Sequence, residues 1–140
     1  MYINTALRRG LLAATSILGG YVGVWAEFFP AAFYSSFPGF GLHWIDIAGA
    51  FDEHLIRDVG SMYLALTAVS IAGVVARTAT VGRVAGLGWV VFGVFHFGFH
   101  VTHLVGSTLD EVGAVVSLGV SALLGVALLF PLAPRVGRAT

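Results

Sequence analysis

At 140 residues, with 58% hydrophobic and 10% charged side chains, the chain is long enough for one compact unit and too apolar for an ordinary water-soluble domain. Seven arginines balance seven acids and lysine is absent, which leaves no basic patch and argues against nucleic acid as a partner. Cysteine is absent too, excluding disulfides, thiolate metal sites and cysteine nucleophiles.

The first ten residues carry Arg8 and Arg9 ahead of a long apolar run. A signal peptide has similar flanks, but the run continues to residue 29 without a clean small-residue cleavage site, so a retained helix is expected over about 6–29. Three further apolar runs predict helices over about 52–76, 82–105 and 108–130. Each has about 20 residues, enough to cross a hydrocarbon core of roughly 30 Å. The fold expected is all-α, an integral membrane antiparallel four-helix bundle forming a single domain over 1–140.

Arginine sets the expected orientation. With four spans, Arg8, Arg9, Arg77, Arg83, Arg135 and Arg138 fall on the side shared by the two termini, and Arg57 falls opposite. The positive-inside rule then places both termini in the cytoplasm. The acids Glu27, Asp46, Asp52, Glu53, Asp58, Asp110 and Glu111 lie at the extracytoplasmic face, with His43 and His54.

The segment 30–51 between the first two spans is rich in aromatics, among them Phe33, Tyr34, Phe37, Phe40, Trp44 and Phe51. It is expected at the membrane interface with a short surface helix, or folded back as a lid that makes His43 a spare ligand. Arg57 is expected to pair with Glu53, four residues earlier, or with Glu27 across the bundle. Residues 77–83 read as a tight turn and Gly106-Ser107 as a tighter one. Thr108 and Glu111 match the T-x-x-E capping box, which starts the last helix there and brings His103 close to Asp110. Asp52, Glu53 and Glu111 are first-turn acids, expected to serve capping and the helix dipole. Gly19, Gly20, Gly23, Gly82, Gly86, Gly113, Ser117, Ser121 and Gly125 mark surfaces where helices approach closely.

Within the third span, 89–105, His96, His100 and His103 interrupt an otherwise apolar run. Steps of four and three residues put the three imidazoles within roughly 60° of one another, a histidine row on one helix face. Ionisable groups at membrane depth turn inward to a partner. Glu27, His54, Asp58 and Asp110 are expected at the level of His100 and His103, with Tyr21, Ser61 or Tyr63 near the deeper His96.

Imidazole and carboxylate together suit a transition metal, copper or iron ahead of zinc. His96 and His103 are about 10.5 Å apart along the axis, so one ion would take an adjacent pair and complete its shell from Glu27, His54 or Asp58, while all three histidines would serve two ions. The expected function is a metal-binding membrane protein with a His/carboxylate site made from His96, His100, His103, His54, Glu27 and Asp58. Metal-dependent oxidoreductase chemistry on a lipid-soluble substrate such as a quinone is the activity such a site fits. Haem b held between His54 and His100 is an alternative. So is a non-catalytic structural subunit in which the histidines serve packing, and the chain is expected to be a homo-oligomer or part of a membrane complex.

The four-span plan and the stretch R-D-V-G-S-M-Y-L-A-L, residues 57–66, resemble the small DoxX-like membrane proteins of bacteria. That resemblance implies quinone-linked or oxidative-stress functions in a respiratory membrane. The histidine row is not part of that family's pattern, and no functional residue is carried over.

Overall fold

A computed structural model describes residues 2–130; Arg135 and Arg138 lie outside the described residues. The helices are α1 (Ala6–Phe28), α2 (Pro30–Ser36), α3 (Glu53–Val75), α4 (Ala79–Thr102) and α5 (Thr108–Leu129), with a two-stranded hairpin, β1 (Pro38–Gly39) and β2 (Leu42–His43), between α2 and α3. Four of the five helices, all but α2, are long and apolar enough to cross a membrane. Their outward faces carry large apolar side chains such as Ile17, Leu87, Phe95 and Leu123. Surfaces of that kind suit lipid contact and would associate in water.

Three of the helices, α1, α3 and α5, start where a side chain satisfies a free N–H group. Thr5 caps α1 through Arg8 N–H, and Asp52 caps α3 through Leu55 N–H. The α5 cap lies one residue before the expected position. Ser107 is the N-cap, its hydroxyl accepts from Asp110 N–H, and the Asp110 carboxylate accepts in return from Ser107 N–H. Asp110 thus supplies the second half of the box assigned above to Glu111. The arginine-flanked turn is also shorter than expected: Thr78 stands at the N-cap position of α4 without a side-chain capping bond, and the helix resumes at Ala79, placing Arg83 on α4.

Packing is strongest within two pairs, α1 with α3 and α4 with α5. In the first pair Gly60 lies so close to α1 that a Cβ there would sit 2.6 Å from the Glu27 backbone nitrogen; Gly23 meets Leu64, and Gly73 meets Leu12. In the second, Gly86 meets Leu128 and Gly125 meets Trp89. Without a side chain at these points the backbones come near enough for dispersion to act where lipid supplies no hydrophobic drive.

The pairs meet at one end and part toward the other. At the first end Leu12, Ala85 and Leu128 form a core, with Arg8 fully buried beside it. Asn4 N–H donates to the Arg77 carbonyl and Ala79 N–H to that of Tyr2, knitting the start of the chain to the α3–α4 turn. Midway, Trp89 is wholly buried, donates its indole N–H to Ser70 Oγ at 2.9 Å, and packs on Gly19 and Gly125. Beyond it the second core is drawn from Val22, Ala26, Phe33, Ile56 and Tyr63, residues of α1, α2 and α3. The buried residues of α5 are Ser121, Gly125 and Leu128, all in its second half. Its first half stands away from the α1–α3 pair and leaves a hollow.

Segment 30–51 covers this hollow, partly as expected and partly not. A short helix is present, but Pro38 to His43 form a hairpin whose two-residue tip, Phe40 and Gly41, has φ of 59° and 78°. Two successive positive φ values match the turn that suits the natural twist of a hairpin. Glycine takes that conformation freely; Phe40 takes it at the fully exposed tip, where its side chain meets no crowding. The Phe37–Pro38 peptide is cis. Phe33, Phe37, Trp25 and Tyr21 pack against one another, mostly edge-on, and fasten the hairpin to α1, and Tyr21 Oη donates to the Pro38 carbonyl.

Candidate functional site

The hollow is a cavity of about 700 Å3 under the hairpin, walled by α1, α3, α4 and α5. That volume lies within the usual range for small-molecule pockets, about 300–1,000 Å3. Most of its wall is apolar. Leu18 and Val22 come from α1, Ile56 and Val59 from α3, Phe99 from α4, Ala114 and Leu118 from α5, and Phe37, Trp44 and Ile45 from the cover.

The histidine row faces into this cavity. His96 and His100 of α4 line it, and so does His103, the exposed C-cap just past the end of that helix. His96 stacks on Phe92 with ring centroids 4.8 Å apart, and His100 meets the His96 ring edge-on at 4.7 Å. His103 belongs to a local arrangement at the end of α4: its ring stacks on Phe99 at 4.2 Å, and Nδ1 lies 2.9 Å from the Phe99 carbonyl and 3.0 Å from the Thr102 hydroxyl. No ion pair joins His103 to Asp110 among the described residues; Asp110 is engaged with Ser107, at 2.6 Å from its hydroxyl.

The other expected ligands lie elsewhere, and the metal site is not formed. Among the described residues no group of three or more histidines, cysteines, aspartates or glutamates is placed to hold a metal ion. The reason is visible on α3. Its cavity face carries Leu55, Ile56, Val59 and Tyr63, whereas His54 and Asp58 lie one turn apart on an exposed face, paired at 3.4 Å with side chains 89% and 62% exposed. Glu27 is at the end of α1 against Gly60, and its carboxylate does not line the cavity. His96, His100 and His103 therefore gain no completing ligand from Glu27, His54 or Asp58, and copper, iron and zinc have no ligand shell there. The haem arrangement fails for the same reason, since His54 faces away from the cavity that His100 faces.

Arg57 satisfies both parts of its expectation in an altered form. It forms a two-pronged ion pair with Glu53, 2.8 Å at both contacts, and reaches across to α1, where it donates to the backbone carbonyl of Glu27 and not to the carboxylate. Tyr21 and Ser61 do not reach His96: Tyr21 bonds Pro38, and Ser61 bonds the Asp58 carbonyl at 3.0 Å. His43 stays on the exposed side of the cover, with Nδ1 2.7 Å from the Ser35 carbonyl and 3.5 Å from Asp46.

Two wall residues give the cavity a polar floor that spacing alone did not single out. Tyr63 is 5% exposed, with its ring edge-on to Trp89 at 6.0 Å and to Phe92 at 5.0 Å. Ser121 of α5 is 4% exposed and lines the same cavity. The Tyr63 and Ser121 hydroxyls and the His96 and His100 rings make no hydrogen bond with any described residue. Tyr63 and Ser121 are buried and the two imidazoles half-buried, so four polar side chains from α3, α4 and α5 line a largely apolar cavity without a protein partner. Helical spacing marks Ser121 as a packing residue; its place on the cavity wall gives it another meaning. Compared with models of known protein families, with curated proteins and with solved structures, the chain matches none.

Proposed function

We propose that this chain is a multi-pass protein of a bacterial inner membrane, an antiparallel four-helix bundle with both termini in the cytoplasm, that binds a membrane-dissolved molecule with a flat apolar ring and hydrogen-bonding oxygens, of the quinone type. The observation that carries this reading is the set of four unpartnered polar groups, Tyr63, His96, His100 and Ser121, on the wall of a 700 Å3 apolar cavity. The gathering of Arg8, Arg9 and Arg77 about the same end supports the orientation, through the positive-inside rule.

The chemistry suits both states of such a ring. A phenol or serine hydroxyl donates to a carbonyl oxygen and accepts from a hydroxyl, and a neutral imidazole has one nitrogen for each task. Phe37, Trp44 and Phe99 offer faces against which a ring stacks in offset or edge-on geometry. A ligand that supplies the missing hydrogen bonds gives these groups the partners that the apolar wall does not, which is the usual source of selectivity for a polar head in a greasy pocket.

The test is a titration of the purified protein in mild detergent with a short-chain benzoquinone, following tryptophan fluorescence, since Trp44 lines the cavity. Saturable quenching that weakens in a Tyr63→Phe, His96→Ala double variant is the expected result. Non-saturable quenching, equal in both proteins, would overturn the reading.

A further inference from the structure

On the outer side of the α3–α4 seam lies a second hollow, a groove of about 540 Å3 formed by Met62 and Leu66 of α3 and Gly88, Val91 and Phe95 of α4. None of these side chains carries a charge or a hydrogen-bonding group. His96 and Phe99 line both this groove and the inner cavity. The wall between the two is therefore one side chain thick, made of the same aromatic rings that bound the polar floor.

The geometry points to a two-part site for a long-tailed ligand, and this rests on the reading of the inner cavity given above. We propose that the ring of the bound molecule lies inside, against Tyr63, His96, His100 and Ser121, while its aliphatic or isoprenoid tail passes between α3 and α4 beside His96 and Phe99 and lies in the outer groove. Two features favour this course. The groove abuts the cavity across two shared side chains, His96 and Phe99, and is otherwise lined by apolar residues. The route past the hairpin runs by Asp110, Glu111 and the His103 ring, all on the cavity wall at that end, and an alkyl chain gains nothing beside carboxylates.

The tail is placed there by geometry and is not driven there. Lipid chains are as apolar as the groove, so moving a tail between them yields little free energy. The decisive readout is therefore position. A benzoquinone bearing a ten-carbon tail with a terminal diazirine serves as the probe, and the same ring with a methyl group as competitor. Irradiation followed by peptide mapping is expected to place adducts on Met62, Leu66, Val91 or Phe95, displaced by the methyl compound. Adducts on the cover or on Ala114 and Leu118, displaced in the same way, overturn the tail route and leave the ring site standing. Labelling that the methyl compound does not displace overturns both.

A second variant guards against a misfolded control. Val91 is 52% exposed, so Val91→Trp fills the groove without entering the core. It is expected to weaken the tailed probe on the order of tenfold while leaving the methyl compound's affinity unchanged. Equal effects on the two compounds, or none on either, overturn the two-part site.

Discussion

The Arg8 guanidinium donates to the Leu128 carbonyl at 2.6 Å, and its other terminal nitrogen donates to Phe130 at the same distance. A side chain from the first turn of α1 thereby closes the last turn of α5. The end of every helix leaves carbonyls without intrahelical partners, and cations there also complement the helix dipole. Asn4 does the same for α3, with its amide nitrogen 2.8 Å from both the Gly73 and Ala76 carbonyls, and Arg57 does it for α1 at Glu27. Three helices are each terminated by a polar side chain from another part of the chain.

Replacing Arg8 should therefore loosen α5 from α1. Arg8→Ala removes two charge-assisted hydrogen bonds at a fully buried position and should cost about 3 kcal/mol. Arg8→Lys, with one point charge in place of a fork, should recover part of that loss. Thermal unfolding in detergent orders the three proteins; equal midpoints would show that the contact adds nothing.

Two glycines on the helices should respond to alanine with opposite signs. At Gly60 a Cβ would press on the Glu27 backbone at 2.6 and 3.0 Å, where no side chain can turn aside, so Gly60→Ala should destabilise by about 2 kcal/mol. Gly10, within α1, has no atom within 4 Å of its added Cβ. Gly10→Ala should stabilise by roughly 0.5–1 kcal/mol through helix propensity alone. Denaturant midpoints of the two variants against the parent check both signs.

Tyr63→Phe isolates the hydroxyl from the ring. The ring contacts with Trp89 and Phe92 persist, so the fold should be unaffected while affinity for a short-chain benzoquinone falls about five- to tenfold, the worth of one neutral hydrogen bond. Isothermal titration measures the change. Unaltered affinity would remove Tyr63 from the site.

The exposed pair His54 and Asp58 should matter to neither stability nor binding. An ion pair on an open helix face contributes less than about 1 kcal/mol. His54→Ala and Asp58→Asn should keep the unfolding midpoint within a few degrees of the parent and the benzoquinone affinity unchanged. A tenfold loss of affinity in either variant would return α3's outer face to consideration.

The elements and the site were unequally legible from the residues. Hydrophobic run length located the four long helices, because a membrane-length apolar stretch has few other uses. The four-residue step puts His96 and His100 on one face of α4, since that depends on one helix's own geometry, whereas α4 ends before His103, which takes its place as the C-cap. What failed was convergence between helices. His54 and Asp58 share a face with each other by the same rule, but the rotation of α3 about its axis is set by Gly60 and Gly73 against α1, and that turns the pair outward. Nothing local to His54 carries this information. The hairpin was similarly hidden, because Phe40 is an unlikely residue for a positive φ and the turn rests on Gly39 and Gly41 on either side of it.

Trp89 has one more consequence. Its indole fills the axis of the molecule, touching α1 at Gly19 and α3 at Ser70, while its Cβ and backbone meet Gly125 of α5, and below it lies the Leu12, Ala85 and Leu128 core. The hollow above is a cul-de-sac. Water or ions that reach the histidines meet a stopper and must leave by the side from which they came, so a bilayer holding this protein should pass no current. Any chemistry or exchange it hosts is confined to one leaflet's depth, and the far half of the molecule serves as its footing.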